Sequence, residues 1–260
     1  MIKVMGIIPA RAGSRQVPGK NIRQLLNKPV VSYTLEAALA AERLDRVVVT
    51  TDDGFVKQIG EEFGVAVIDR PADLATDQAR MDEVMRHCCE QMEAIHGYRP
   101  DVVVLLYANI PVRAEGVIDR VVEKLAVTGA DSVQTMSPVG KFHPYWLYQL
   151  DEDKAKVYIP NTVDHRQDLP GLFAIDGAVG AVTYESLIRA EGSEDPHAFW
   201  GEDRRGLVQE AHETVDIDSL RDFYLAEAVL RCKNIATEET EITERVEKVF
   251  PQISQIAQIK

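Results

Sequence analysis

Two groups of side chains in this 260-residue chain have the types and spacing to do chemistry. The first is the loop "IIPARAGSRQVPGKN" (7–21), where Arg11, Arg15 and Lys20 alternate with Gly13, Pro18 and Gly19 directly after the first apolar run. A glycine-bearing turn at the carboxyl end of a strand lets main-chain N–H groups approach phosphate oxygens, and basic side chains neutralise them. Five residues separate Gly13 from Gly19 and Asn21 follows Lys20, so the loop is neither a Walker A loop nor a dinucleotide fingerprint. The alternative is a solvent-exposed basic turn. The second group is "VDIDS" (215–219). In an extended segment, residues two apart face the same side, so Asp216 and Asp218 could hold Mg²⁺ through hard oxygen ligands. The alternative is that Asp218 only caps the helix that follows.

The remaining reactive residues suggest no other chemistry. The six histidines have no zinc-site spacing, and none belongs to a recognisable Ser/His/Asp or Cys/His signature. Cys88 and Cys89 are adjacent and Cys232 is distant, which is not a disulfide framework; the cytoplasm is the expected compartment. A formal charge of −13, from 29 basic and 42 acidic residues, argues against a nucleic-acid partner. No apolar run approaches the ~20 residues needed to span a bilayer, so no membrane partner is expected. "MIKVMGIIPA" reads as a first strand rather than a signal peptide.

The elements that must position these groups follow from hydrophobic periodicity. Apolar runs at 4–10, 46–53, 65–71, 101–113 and 131–136 alternate with helical patterns over 30–42, 54–64, 81–97 and 116–130. Asp53 is placed to cap the second helix and Gly64 to stop it. Strands alternating with helices give an α/β fold with a mostly parallel sheet covered on both faces. From 138 to 178 the pattern changes to prolines, aromatics and two short alternating runs, "YWLYQL" and "KVYI", the mark of an inserted β-hairpin. A long helix follows with Asp218 or Ser219 as N-cap, and a separate tail helix is expected over Glu239–Val249. The expected division is a domain over 1–234 and a tail over 235–260.

"IIPARAGSRQVPGKN" resembles the N-terminal signature of the cytidylyltransferases that activate sialic acids and related sugars as CMP conjugates. "VVVTTDD", "VIDRPADLATDQA" and "VDIDSLRDF" continue the resemblance in order, over roughly residues 3 to 230. It implies a Rossmann-like nucleotide-diphospho-sugar transferase fold, with the 138–178 hairpin insertion reaching a neighbouring subunit in a homodimer or dimer-based tetramer. By the same resemblance Arg11, Gly13, Ser14, Arg15, Lys20 and Asn21 surround the triphosphate of CTP. Arg11 and Lys20 then act catalytically by offsetting charge on the leaving pyrophosphate. Arg70 and the backbone near Ala79 face the cytosine, while Asp216 and Asp218 bind Mg²⁺. Tyr107, Asn109 and Arg166 lie on the side of a small acidic acceptor sugar.

The chain departs from the family pattern on that acceptor side. "LLYANIPVR" has Tyr107, Asn109 and Ile110 where the family tends to have glutamine and a threonine–serine pair. "RQDLPGLFAIDGA" keeps Arg166 but has Ala174 and Asp176 where arginine and asparagine are common. A lost arginine removes a natural carboxylate clamp. A Kdo-like sugar, a phosphonate or another nucleotide therefore stand as alternatives to a sialic-acid-like acceptor, and a non-catalytic nucleotide-binding role stands beside them.

Overall fold

The computed structural model describes residues 2–13 and 17–249. Strand β1 (Val4–Pro9) is buried along its whole length. Its alternate residues enter two different cores: Val4 and Ile8 pack on one face of the sheet, Met5 and Ile7 on the other. A strand covered on both sides must read as an unbroken apolar run, which is why "VMGIIP" does not alternate with polar residues. Each fully buried Ile contributes ~1.5–3 kcal/mol, so the strand is a rigid base for the loop leaving its end.

The order β1, the ribbon β2 (Gln24–Leu25)–β3 (Lys28–Pro29), α1 (Val30–Ala40), β4 (Arg46–Thr51), α2 (Gly54–Glu62), β5 (Ala66–Asp69), α3 (Met81–His96), β6 (Val102–Leu105), α4 (Val117–Thr128) and β7 (Ser132–Pro138) follows the expected alternation. Asp53 caps α2, accepting from Phe55 N at 2.8 Å. Helices α1, α2 and α4 cover one face of the sheet; α3 and α5 (Tyr184–Arg189) cover the other. Among the described residues, no helix is long and apolar enough to cross a membrane.

Three features differ from the pattern-based expectation. β10 (Phe173–Thr183) is antiparallel and lies inside the seven-stranded sheet, whose order is β11-β7-β10-β6-β1-β4-β5, with β11 (Arg204–Val208) at the edge. The hairpin β8 (Tyr148–Asp151)–β9 (Lys154–Val157) forms a separate exposed arm, and the 138–178 range drawn from composition runs into β10 at Phe173. Helix α6 (Leu220–Val249) is continuous, in place of two helices, because no glycine or proline falls within it. The tail beyond it lies outside the described residues.

Candidate active site

The site is assembled where β1, β4 and β6 end. Val17 is fully buried, and Gly19 at φ 64° closes a turn in which Arg23 N donates to Gly19 O at 2.9 Å. The positive φ requires no side chain at this point of the loop. Ala12 N donates to Asp52 Oδ1 at 2.9 Å, tying the other limb of the loop to the end of β4. Asn21 is buried and its Nδ2 donates to Arg11 O at 3.2 Å, so Asn21 shapes the loop from behind. Arg11 reaches across to pair with Asp77. Ser14 and Arg15 lie outside the described residues; Gly13 is described and stands against the Arg11 guanidinium.

The opposite wall is the 215–218 segment. Val215 and Ile217 are buried while Asp216 and Asp218 face out, so alternation puts both carboxylates on one side. Val215 and Ile217 share a small core with Leu25, Val30, Val112 and Phe223, which fixes the segment against the β2–β3 ribbon and α6. Ser219, rather than Asp218, caps α6: Ser219 Oγ accepts from Asp222 N at 3.3 Å, and Asp222 Oδ2 accepts from Ser219 N at 2.8 Å. The Asp218 carboxylate is therefore left to Lys20, whose Nζ lies 3.1 Å from Asp218 Oδ1 and 3.2 Å from Ile217 O. This contact joins the two groups picked out by residue type, 198 residues apart in sequence.

Asn109 Nδ2 donates to Asp216 Oδ1 and, at 3.3 Å, to Ile217 O. Desolvation and the charge of Asp218 push the Asp216 carboxyl up to about 6, with a smaller push from Asp222, against the pull of Lys20 and Arg113. A carboxylate raised in this way gains from a cation. Among the described residues no cluster of three or more His, Cys, Asp or Glu is preassembled for a metal. An ion here would complete its shell with water and ligand oxygens, as Mg²⁺ commonly does. The oxygen donors of Asp216 and Asp218 fit such an ion.

Arg70 is buried, not a surface ion-pair partner: its Nη2 donates to Thr50 O at 2.8 Å, and burial lowers it to about 10. Ala79, half-buried, precedes α3. Tyr107 is half-buried beside Asp216, and desolvation with that charge raises its phenol. Arg166 is exposed on the inserted segment, near Gly140, and no contact brings it to Tyr107 or Asn109 within the chain.

Sequence reasoning missed Arg113. Its buried guanidinium donates to Ala178 O, Thr34 Oγ1 and Tyr107 O, each at 2.8 Å, and to Ile110 O. Burial lowers it to about 9, with Asp216 and Asp176 pulling the other way. Arg113 thus holds the bend after β6 that carries Tyr107 and Asn109. The available signal was its position after the long apolar run of 101–113. Asp176 is also committed within the protein, accepting from Ser137 Oγ at 2.9 Å, Gln209 Nε2 at 2.8 Å and Ala178 N at 3.0 Å.

Residues 5–156 match the model of a family described as "Cytidylyltransferase". The chain is 33% identical to a pseudaminic acid cytidylyltransferase of Campylobacter jejuni, over 88% of this chain and 97% of that protein. It is 28% identical to a CMP-N,N'-diacetyllegionaminic acid synthase of Legionella pneumophila, over 88% of this chain and 97% of that one. An N-acylneuraminate cytidylyltransferase of Escherichia coli is 28% identical over 89% of this chain, which spans 53% of that relative. A solved CMP:2-keto-3-deoxy-manno-octonic acid synthetase, complexed with CTP, superposes with a TM-score of 0.66 at 17% identity, covering 89% of this chain and 99% of that one. At that identity the likeness is one of fold, the α/β nucleotidyltransferase architecture.

Proposed function

The chain belongs to the cytidylyltransferase family, and we propose that it transfers CMP from CTP to the anomeric hydroxyl of a nonulosonic, sialic-acid-like sugar. The observation that carries this reading is the 3.1 Å contact between Lys20 and Asp218. It brings the cationic loop against the paired carboxylates, which supports a site for a triphosphate with a divalent cation. The acceptor oxygen forms a bond to the α-phosphorus, the bond from that phosphorus to the bridging oxygen breaks, pyrophosphate leaves, and the hydroxyl proton passes to water.

Positioning and charge stabilisation suffice for such a displacement, and no nucleophilic side chain is needed. Lys20 and Arg11 neutralise charge on the departing phosphates, while the turn at Gly19 and Asn21 shape the cradle. Ser14 and Arg15 belong to the same loop. Arg70 and the backbone at Ala79 border the space assigned to the base. Asp216 and Asp218 would hold Mg²⁺, which when bound supplies positive charge to the phosphate oxygens. Asn109 and Arg113 keep Asp216 and Tyr107 in place for the acceptor.

The β8–β9 arm is assigned to self-association as a homodimer or dimer-based tetramer, with Arg166 reaching a second copy. Both strands are exposed throughout, and Tyr148, Leu150 and Tyr158 are among their uncovered side chains or beside them. The test of function is pyrophosphate release with Mg²⁺, crossing CTP, UTP, GTP and ATP with nonulosonic acids, Kdo and phosphonates. Release with CTP and a nonulosonic acid, lost in Asp216→Ala, is expected. Release with Kdo or a phosphonate alone would overturn the acceptor assignment. CTP binding without release for any acceptor would point to a non-catalytic role.

A further inference from the structure

Gln134 lies in the middle of β7 with only 5% of its surface exposed, yet its side-chain amide has no hydrogen-bond partner among the described residues. Alternation along β7 explains where it points. Val133 packs in the core beneath α4, whereas Ser132 bonds Trp200 O from the other face, so Gln134 shares the Trp200 face. Its two cross-strand neighbours are both glycines, Gly180 on β10 and Gly206 on β11. Trp200 and Met136 occupy the places where those side chains would stand, which leaves the amide facing the space beside Trp200.

That space is a cavity of about 280 Å³, lined by Gln134 together with Met81, Tyr107, Ile175, His197 and Trp200 among others. No Lys, Arg, Asp or Glu stands on its wall. The wall is also built, not incidental. Trp200 closes over Gly180 so tightly that a Cβ there would lie 2.5 Å from the ring. Arg80 donates to Ser193 O at 2.6 Å and to Asp195 O at 3.1 Å, holding the turn that supplies Pro196 and His197. Arg80 is itself fixed by Asp82, which Arg86 also holds at 2.9 Å. Tyr107 borders the cavity and stands beside Asp216, so the cavity adjoins the proposed site of transfer.

An amide without a partner in the protein that opens onto a cavity is free to complete its hydrogen bonds with whatever enters that cavity. We propose that Gln134 is a specificity-determining residue that hydrogen-bonds an uncharged polar substituent of the acceptor, an acylamido or hydroxyl group, inside this cavity. The inference rests on the reading of the chain as a sugar cytidylyltransferase and adds which part of the acceptor is read, and by what. A largely apolar wall whose polar side chains are Gln134, Tyr107 and His197 suits a neutral polar group, and it offers no Lys or Arg to a carboxylate or phosphonate. It also discriminates against an analogue lacking the polar group, which leaves the amide unpaired.

The test uses Gln134→Leu, nearly the same shape without the amide. Wild type and variant are assayed for pyrophosphate release with CTP, using N-acetylneuraminate, its deaminated hydroxyl analogue and Kdo as acceptors. The expected result is an acceptor KM raised about 10-fold with the CTP KM nearly unchanged, reflecting one lost neutral hydrogen bond. The acceptor preference should flatten, and Tm should stay close to wild type, since the amide bonds nothing within the protein. An unchanged acceptor KM and preference overturns the inference while leaving the transferase reading intact. A lowered Tm with unchanged acceptor kinetics overturns it in favour of a structural amide. Absence of release by wild type with every acceptor overturns the underlying reading, and this inference with it.

Discussion

Replacing Arg113 by methionine would test whether one buried guanidinium organises the acceptor side of the site. Methionine fills much of the same volume but removes every donor. Three main-chain carbonyls, of Tyr107, Ile110 and Ala178, then lose a partner. The Thr34 hydroxyl lies 3.2 Å from Tyr107 O and 3.3 Å from Ile110 O, and with a single proton it can serve only one of them. Tyr107 O keeps the Ile110 amide at 3.4 Å and the hydroxyl can serve Ile110 O, so one buried acceptor, Ala178 O, is orphaned, at ~1–3 kcal/mol. Relief from desolvating a guanidinium, already lowered to about 9, trims the upper end. With ~2–4 °C per kcal/mol for a domain of this size, Tm falls by roughly 2–10 °C. Urea titration followed by circular dichroism measures the free-energy change, and acceptor KM measured below Tm reports the loosened Tyr107–Asn109 bend. Arg113→Lys should fall between the two, because an ammonium cannot reach three carbonyls set around a planar fork. A loss under ~1 kcal/mol for Arg113→Met, with acceptor KM unchanged, would refute the organising role.

Other parts of the site make separate claims. Asp216 is raised from 3.8 to about 6 in the folded chain, so the folded state holds its proton more tightly than the unfolded one and wild-type stability declines as pH rises through that window. Asp216→Asn should therefore gain Tm over metal-free wild type progressively from pH 4 to 6, keep that margin at pH 7, and lose transferase activity; a margin that does not depend on pH would contradict the shift. Lys20→Ala should lower the rate of pyrophosphate release ~10²-fold or more, measured by a coupled phosphate assay, while Lys20→Arg retains part of it. Gly180→Ala drives a methyl into Trp200 and should cost ~1–3 kcal/mol in urea unfolding, with a shift in tryptophan emission and recovery on adding Trp200→Phe.

The positions of Lys20 and the two aspartates were legible in the sequence because each rests on local pattern. A strand exit with glycines predicts a loop, and period-two alternation around Ile217 predicts that Asp216 and Asp218 share a face. What could not be read is set by partners distant in sequence. β10 carries the same apolar alternation whether it joins the sheet parallel or antiparallel, and only its pairing with β6 and β7 decides. Asp218 and Ser219 were equal candidates to cap α6 until Asp222 closed a reciprocal pair with Ser219, which released Asp218 to Lys20. Arg113 is an arginine after an apolar run in either description, and its meaning lies in the carbonyls around it, which have no sequence signature. Gln134 is the sharper case. A glutamine inside a strand reads as solvent-facing, yet with Trp200 and Met136 filling the places beside its two paired glycines only 5% of it stays exposed. Tertiary context therefore determines the surroundings of Arg113 and Gln134, whereas the loop of 11–21 and the 215–218 segment are written locally.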